Sequence, residues 1–220
     1  MTPQKFKAAC FDLDGTLIDT GPPHREAERA TVRAFGFNDL AADHPVTFGK
    51  GVIPGAQLVA QHYGIDNAEE VLAEYLRQWK RIAEAGIDLL PGAESAVRTV
   101  AGSGILVALV TSGERGYADE FLRISGLAEV FVCSVTLEDV VKLKPDPEPY
   151  LKAAETMGVE PPECVVFEDS VSGFRAARAA GMYSVGVGEV ALQAIGDDAP
   201  DLAIGSFNDL NPDRLFGARD

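Results

Sequence analysis

The chain has 220 residues, of which 46% are hydrophobic, so it is long enough for one large domain, or one domain with a smaller insertion, around a full apolar core. Its formal net charge of -15 argues against nucleic acid or an anionic membrane as a partner, and an anionic substrate would have to be captured by local cations. We expect neither a membrane span nor a secretion signal, because no stretch is long and apolar enough and the first residues are largely polar.

The chain contains three cysteines, Cys10, Cys133 and Cys164, and all of them fall in apolar runs that are typical of buried strands. We interpret them as reduced core residues, which together with the missing signal region predicts a cytoplasmic protein. The sequence shows no coiled-coil pattern and no extended apolar face, so a monomer is the default expectation.

Apolar, strand-like runs alternate with helical patterns along most of the chain. The predicted strands lie near residues 7–12, 105–110, 130–134, 165–168, 183–187 and 202–204. Helical patterns intervene at residues 92–101, 116–125, 147–157 and 171–180. This alternation favours an α/β fold with a parallel sheet and helices on both faces.

Residues 21–88 interrupt this rhythm, because they contain no convincing strand and three helical patterns, at 23–35, 53–63 and 67–85. We therefore predict a helical domain at 21–88, inserted into a core formed by residues 1–20 and 89–220. Ligands of open α/β sheets bind outside the carboxyl ends of the strands, so an insertion after the first strand is expected to act as a lid there. The alternative is a separate helical domain with no role in the site.

Two acids two residues apart, Asp12 and Asp14, follow the first predicted strand and open onto a Gly-Thr turn. Clustered carboxylates raise one another's pKa or must be neutralised by a cation, and Mg²⁺ prefers oxygen ligands of this kind. Asp12 could then attack phosphorus, because carboxylates form aspartyl-phosphate intermediates. A calcium loop is excluded, since its twelfth position needs a glutamate and Pro23 stands there.

Three further polar segments come at or beyond the ends of predicted elements. Thr111 and Ser112 follow the second strand, Lys144 precedes a proline, and Glu168 and Asp169 end a buried strand. Hydroxyls suit phosphate oxygens, a lysine shields charge between a carboxylate and a phosphoryl group, and paired acids suit a metal. Each segment alone is equally typical of a helix cap or a surface turn.

Taken together, these segments resemble the four motifs of the haloacid dehalogenase (HAD)-like hydrolase superfamily, over nearly the whole chain. The matching segments are Asp12-x-Asp14-Gly15-Thr16, Thr111, Lys144 before proline, and Glu168-Asp169-Ser170. The helical insertion resembles the cap of the phosphoglycolate phosphatase and β-phosphoglucomutase-like subfamily. The resemblance implies a Rossmann-like parallel sheet core with an inserted α-helical cap domain, and Mg²⁺ as the cofactor.

The resemblance also assigns roles to the acids and the lysine. It makes Asp12 the nucleophile and a metal ligand. It makes Asp14 the general acid and then the general base, with its main-chain carbonyl as a further metal ligand. Lys144 would bridge the nucleophile and the phosphate, and Asp169, helped by Glu168, would complete the metal site.

The resemblance further implies a set of substrate contacts. Thr111 and the amide of Ser112 would hold the transferring phosphoryl group. In the insertion, His24 stands where the mutase has a functional histidine, and Lys50 lies in a segment that resembles the cap loop of that enzyme, so both are candidate substrate contacts.

The expected function is a Mg²⁺-dependent phosphatase that hydrolyses a small phosphate monoester, such as a sugar phosphate, through an aspartyl-phosphate. A β-phosphoglucomutase-like sugar phosphomutase is the alternative, although Pro54 stands where that mutase has the arginine that grips the distal phosphate. A silent phosphate-sensing regulator is disfavoured, because the nucleophile, the acid and the lysine are all present. The expected partner is therefore a small phosphorylated metabolite.

Overall fold

The computed structural model describes residues 6–45, 47, 52–86 and 88–216. The chain divides into two compact units, Met1–Ile18 with Leu89–Asp220, and Asp19–Asp88. We call the first the core unit and the second the helical unit. The role of the helical unit as a cap stays a prediction.

The core unit is built on a parallel sheet of six strands, which confirms the predicted α/β class. The strands are β1 (Ala8–Phe11), β2 (Leu106–Val110), β3 (Cys133–Val135), β4 (Cys164–Glu168), β5 (Tyr183–Val187) and β6 (Leu202–Ile204). Their order is β3-β2-β1-β4-β5-β6, and every neighbouring pair is parallel. This Rossmann-like order reverses at β1, and a reversal of this kind is where open α/β sheets bind ligands.

Nine α-helices lie in the described part of the chain. In the helical unit they are α1 (Gly21–Ala34), α2 (Val52–Tyr63) and α3 (Ala68–Glu84). In the core unit they are α4 (Ala93–Gly102), α5 (Arg115–Ser125), α6 (Glu148–Met157), α7 (Val171–Ala179), α8 (Glu189–Gln193) and α9 (Pro212–Phe216). The sequence did not predict α8 and α9, because five residues span little more than one turn and carry no readable period.

The prediction for β3 was wrong at its start. The apolar run begins at Val130, but the amide of Val130 donates to the carbonyl of Leu127 at 2.9 Å, in a turn. Phe131 is buried before the ladder begins at Cys133. The run therefore becomes buried before it pairs with β2, and hydrophobicity alone does not distinguish buried residues from residues that are hydrogen-bonded in the sheet.

Both faces of the sheet are buried. On one face Cys10 and Val166 belong to a cluster that contains Tyr150 of α6 and Ala176 of α7. On the other face Phe11 stacks on Phe167 with ring centroids 4.5 Å apart, and the rings of Phe131 and Phe207 lie beside Phe11. Alternate strand residues point to opposite faces, so burial on both faces fixes the strand register and with it the residues at the strand ends.

The three cysteines have free thiols in the strands where the sequence placed them. Cys10 and Cys164 are buried and Cys133 is half-buried. Burial raises the pKa of each of these thiols. Cys10 and Cys164 thus occupy the core positions that the sequence predicted, and the reduced state of the cysteines stays a prediction.

The helical unit has its own apolar core between its three helices. Val32 of α1, Val59 of α2 and Val71 of α3 are buried in one cluster. The side chain of Asn67 caps α3, because it accepts hydrogen bonds from the amides of Glu69 and Glu70. None of the helices in the residues described is long and apolar enough to cross a membrane.

Candidate active site

The predicted catalytic residues of the core unit lie at the carboxyl edge of the sheet. Asp12 directly follows β1, Thr111 directly follows β2, and Glu168 is the last residue of β4, with Asp169 next. Lys144 lies in the loop before α6. Because parallel strands end at the same edge, residues from distant parts of the chain meet there.

Lys144 is the most constrained side chain of the site. Its Nζ donates to Oδ1 of Asp12 at 2.6 Å, to Oε1 of Glu168 at 2.8 Å and to the carbonyl of Val110 at 3.0 Å. The side chain is only 5% exposed, and Nζ lies 4.9 Å from the centre of the Tyr150 ring. All three ammonium protons are thus bonded, so the charge is held at one point between two carboxylates.

The electrostatics of this cluster follow from burial and from mutual attraction. Burial alone would lower the pKa of Lys144, but the carboxylates of Asp12 and Glu168 outweigh it and hold that pKa well above its usual range. Burial raises the pKa of Asp12 to about 7, against the opposing effect of Lys144 and with support from Glu168 and Asp14. Lys144 is therefore charged, and it is the group that favours the ionised form of the proposed nucleophile.

The carboxylate of Glu168 is hydrogen-bonded through both oxygens. Oε1 accepts from Lys144 and, at 3.2 Å, from the hydroxyl of Tyr150. Oε2 accepts from the amides of Asp169 and Ser170 at 2.9 and 2.8 Å, and from the Ser170 hydroxyl at 2.9 Å. Glu168 therefore orients both Lys144 and the turn that carries Asp169.

Three acids of the site have the donor chemistry of a metal centre. Asp12, Glu168 and Asp169 each offer a carboxylate oxygen, and these oxygens lie within 4.8 Å of one another. Burial, followed by the charges of Glu168 and Asp12, raises the pKa of Asp169 to about 9. Three carboxylates face one lysine, and a hard divalent cation with oxygen ligands would relieve the excess negative charge. The residues present therefore fit Mg²⁺.

The Asp-Gly-Thr turn after β1 packs directly against Asp169. Gly15 has a φ of +80°, and a Cβ at this position would collide with the carboxylate of Asp169. Thr16 Oγ1 lies 3.4 Å from Oδ1 of Asp169 and donates to it. Glycine is needed here because another residue would be strained at this φ, and because its Cβ would displace the carboxylate of Asp169.

Asp14 lies apart from the lysine, between two hydroxyl groups. Its Oδ1 accepts from the hydroxyl of Tyr117 at 3.0 Å, and its Oδ2 lies 3.5 Å from Oγ1 of Thr111. Burial raises the pKa of Asp14 to about 6, although the hydrogen bond from Tyr117 and the charge of Lys144 oppose the rise. A carboxyl group with such a pKa can both give and take a proton near neutral pH.

The predicted phosphate-binding pair lies at the end of β2. Thr111 is buried, and its Oγ1 accepts from the amide of Gly113 at 3.0 Å. Ser112 is exposed next to it. The structure thus places Thr111 beside Asp14, and phosphate binding by Thr111 and Ser112 stays a prediction.

The two candidate residues outside the core unit have different outcomes. Lys50 lies outside the described residues. His24, in α1, has its Nδ1 2.5 Å from the hydroxyl of Tyr75, and its Nε2 3.2 Å from Oγ1 of Thr47 and 3.7 Å from Oε1 of Glu28. His24 thus belongs to a polar network within the helical unit, and its contact with substrate stays a prediction.

Sequence reasoning did not single out two tyrosines that contact the site. Tyr117 bonds Asp14, and Tyr150 bonds Glu168. In the sequence each is an aromatic residue in a helical pattern, which is typical of core packing, so no local signal distinguishes them.

A family model of haloacid dehalogenase-like hydrolases matches residues 6–181. Hexitol phosphatase B from Escherichia coli is 30% identical over 222 residues, which cover 98% of this chain and 99% of that protein. Phosphorylated carbohydrates phosphatase from Thermotoga maritima is 33% identical, over 82% of this chain and 84% of its own length. Among solved structures, a Thermotoga maritima protein described provisionally as a β-phosphoglucomutase has a TM-score of 0.77 at 31% identity, and the match covers 92% of this chain and 96% of that one.

Proposed function

Because the chain belongs to the haloacid dehalogenase-like hydrolase family and is a phosphatase, we propose that it hydrolyses the phosphate monoester of a sugar or similar small metabolite. We propose that the reaction passes through an aspartyl-phosphate on Asp12. The observation that carries this proposal is the position of Lys144, which joins Asp12 to Glu168 beside Asp169. A buried carboxylate whose charge is balanced by a lysine is suited to attack on phosphorus.

In the first half-reaction a carboxylate oxygen of Asp12 attacks phosphorus. The new bond from Asp12 to phosphorus forms as the bond from phosphorus to the ester oxygen breaks. Asp14 gives its proton to the departing oxygen, so the metabolite leaves as an alcohol. Lys144, already bonded to Oδ1 of Asp12, balances the charge that gathers around the phosphoryl group.

In the second half-reaction water attacks the phosphorus of the aspartyl-phosphate. Asp14, now ionised, takes a proton from this water, and the bond from phosphorus to Asp12 breaks. Inorganic phosphate leaves and both acids return to their starting states. The same carboxyl group serves as acid and then as base, which is compatible with the pKa of about 6 that burial gives Asp14.

The remaining polar groups of the edge have proposed binding roles. Thr111 and the amide of Ser112 would hold the oxygens of the transferring group. Asp12, Asp169 and the main-chain carbonyl of Asp14, beside Glu168, would hold Mg²⁺, which when bound supplies positive charge to the phosphoryl oxygens.

The proposed substrate class is a phosphorylated carbohydrate or polyol. Its support is the identity to a hexitol phosphatase and to a phosphatase of phosphorylated carbohydrates, each over more than four-fifths of this chain. We propose that the helical unit selects among such substrates through residues that include His24 and Lys50. His24→Ala should then change the relative rates of phosphate release from different sugar phosphates, and it should change the rate of release from p-nitrophenyl phosphate less.

The direct test is phosphate release from a panel of substrates. The purified protein, with Mg²⁺, is incubated with hexitol phosphates, hexose phosphates, phosphoglycolate and nucleoside monophosphates. The expected result is fastest release from a hexitol or hexose phosphate. Fastest release from a nucleotide or from phosphoglycolate would contradict the proposed substrate class, and release from none would contradict the proposed reaction.

A second candidate is a sugar phosphomutase, which is favoured by the 31% identity to the provisionally described β-phosphoglucomutase. The chain has Pro54 where the resemblance to that mutase places an arginine that grips the distal phosphate. β-Glucose 1-phosphate with a bisphosphate activator separates the two activities. Glucose 6-phosphate formed faster than free phosphate would establish the mutase and overturn hydrolysis as the main activity.

A further inference from the structure

Tyr117 reaches the proposed acid-base residue from a helix that none of the four motifs includes. It lies in the first turn of α5, and its hydroxyl donates to Oδ1 of Asp14 at 3.0 Å. The two residues are 103 positions apart in the chain. The contact is therefore a product of tertiary structure, and it is made to the oxygen of Asp14 that Thr111 does not approach.

The loop between β2 and α5 holds this tyrosine at a fixed distance. A Cβ at Gly113 would lie 3.3 Å from Cδ1 of Tyr117 and 3.2 Å from Oγ1 of Thr111, closer than most side-chain contacts. The tyrosine ring and Thr111 thus pack on either side of a glycine that has no side chain to separate them. This packing brings both hydroxyls within reach of one carboxyl group.

We propose that Tyr117 is a positioning residue that holds Asp14 in place for proton transfer in both half-reactions, an inference that rests on the proposed function. A tyrosine hydroxyl can donate to a carboxylate and, after rotating, accept from a carboxylic acid. It can therefore keep its hydrogen bond whether Asp14 is acid or base. With Oδ1 bonded to Tyr117, the oxygen left for the substrate is Oδ2, on the side of Thr111.

The alternative is that Tyr117 only packs α5 against the loop. The two roles differ in how their loss depends on the leaving group. Proton donation by Asp14 is essential for a sugar or polyol, which would otherwise have to leave as a basic alkoxide, and it matters much less for a p-nitrophenyl group, which leaves as a stable phenolate. A packing defect would slow both esters alike, whereas a misplaced acid would slow the alkyl ester more.

The experiment compares Tyr117→Phe with the wild type on sorbitol 6-phosphate and on p-nitrophenyl phosphate. The quantity measured is kcat/KM, which covers all steps up to departure of the leaving group. We expect a loss of about tenfold on the sorbitol ester, the equivalent of one hydrogen bond to a charged group, and less than about threefold on the aryl ester. The thermal midpoint should stay close to that of the wild type, because phenylalanine fills the same volume.

Two further variants make the outcome decisive. Tyr183→Phe in β5 is the matched control and should leave both kcat/KM values unchanged. Asp14→Asn should lose at least about 100-fold on the sorbitol ester and less on the aryl ester. If Asp14→Asn shows no such difference between esters, the proposed role of Asp14 fails. If Asp14→Asn does show this difference, but Tyr117→Phe slows the hydrolysis of both esters equally or of neither, only the inference about Tyr117 is overturned.

Discussion

At the scale of single residues, the site depends on one lysine placed between two acids. The side chain of Lys144 is 5% exposed and that of Glu168 is 1% exposed, so both charged groups are desolvated and are stabilised by their ion pair. Removing one partner from such a group is costly, because it leaves a buried charge without compensation. The two acids differ in their surroundings, because Asp12 is bonded to the lysine and Asp14 to two hydroxyl groups, and this difference is compatible with the separate roles that we propose for them.

Asp12→Asn tests the nucleophile. The amide keeps the shape of the carboxylate but cannot form the acyl phosphate, so phosphate release should fall by at least about 1,000-fold. Release is measured with Mg²⁺ on the best substrate of the panel. Asp119→Asn, at an exposed position of α5, should keep wild-type activity. Retained activity in Asp12→Asn would refute the assignment of Asp12.

Lys144→Met tests the buried charge cluster through stability. Methionine replaces the stem but leaves Asp12 and Glu168 unneutralised, so the free energy of unfolding should fall by about 3–5 kcal/mol. Urea unfolding near neutral pH, with EDTA present, measures this loss. Lys142→Met is the matched control, because Lys142 is 69% exposed in its ion pair and its loss should cost less than about 1 kcal/mol. Equal losses for the two variants would contradict the prediction.

At the scale of elements, the helical unit has a buried polar network between its helices. Glu28 of α1 is buried, and it accepts a short hydrogen bond from Thr47. Nε2 of His44 lies 3.4 Å from Oε1 of Glu28, and Nδ1 of His44 lies 3.0 Å from the hydroxyl of Tyr63. His24 approaches the same carboxylate from α1. We therefore expect the packing of these elements to depend on the charge state of the two histidines.

Burial lowers the pKa of both His24 and His44 in the folded protein, although Glu28 opposes the shift. An unfolded histidine has a pKa of about 6.5, so as the pH falls through this value the unfolded chain binds protons that the folded chain does not. The stability that the two neutral histidines contribute is therefore full above about pH 7 and decreases below about pH 6.5, until their folded pKa values are reached.

Between about pH 7.5 and about pH 5.5 the two histidines should lower the thermal midpoint, whereas the raised pKa values of Asp12, Asp14 and Asp169 act in the opposite direction, so the test compares variants. His44→Gln removes one of the two histidines, so as the pH falls its midpoint should fall less, or rise more, than that of the wild type, even if the variant is less stable at pH 7.5. An unchanged slope in His44→Gln would argue against the network as its source.

At the scale of the whole molecule, the net charge of -15 works against an anionic substrate and in favour of a cation. The negative charge is concentrated at one edge of the sheet, because the carboxyl ends of the neighbouring strands β1 and β4 bring Asp12, Glu168 and Asp169 together. Lys144 offsets only part of that charge. Phosphate binding at this edge therefore calls for a further positive charge, which a divalent cation can supply.

Removing divalent cations tests this balance. The EDTA-treated protein should release no phosphate, and millimolar Mg²⁺ should restore release. The ion should also raise the thermal midpoint by a few degrees, because it binds the folded state alone. Asp169→Asn should lose this rise, whereas Asp119→Asn should keep it. Full activity in EDTA would contradict the assignment of a metal.

Much of the fold and of the site could be predicted from local patterns. The alternation of apolar runs with helical periods predicted the parallel α/β core. The acids and the hydroxyl at the strand ends predicted the edge of the sheet at which they meet, and Lys144 reaches the same edge from the loop before α6. These features are readable because each depends on residues close together in the chain. The start of β3 was not readable, since buried residues before Cys133 resemble paired ones.

The sequence by itself determined the class of fold and the family, and it predicted the residues that we propose for phosphoryl transfer. Only the tertiary structure decided which of them touch. In the folded protein Lys144 donates hydrogen bonds to Asp12 and Glu168, and Asp14 accepts hydrogen bonds from Thr111 and Tyr117. The physical reason is that strand order and helix packing bring together side chains that are up to 153 positions apart, and no local pattern encodes such a contact.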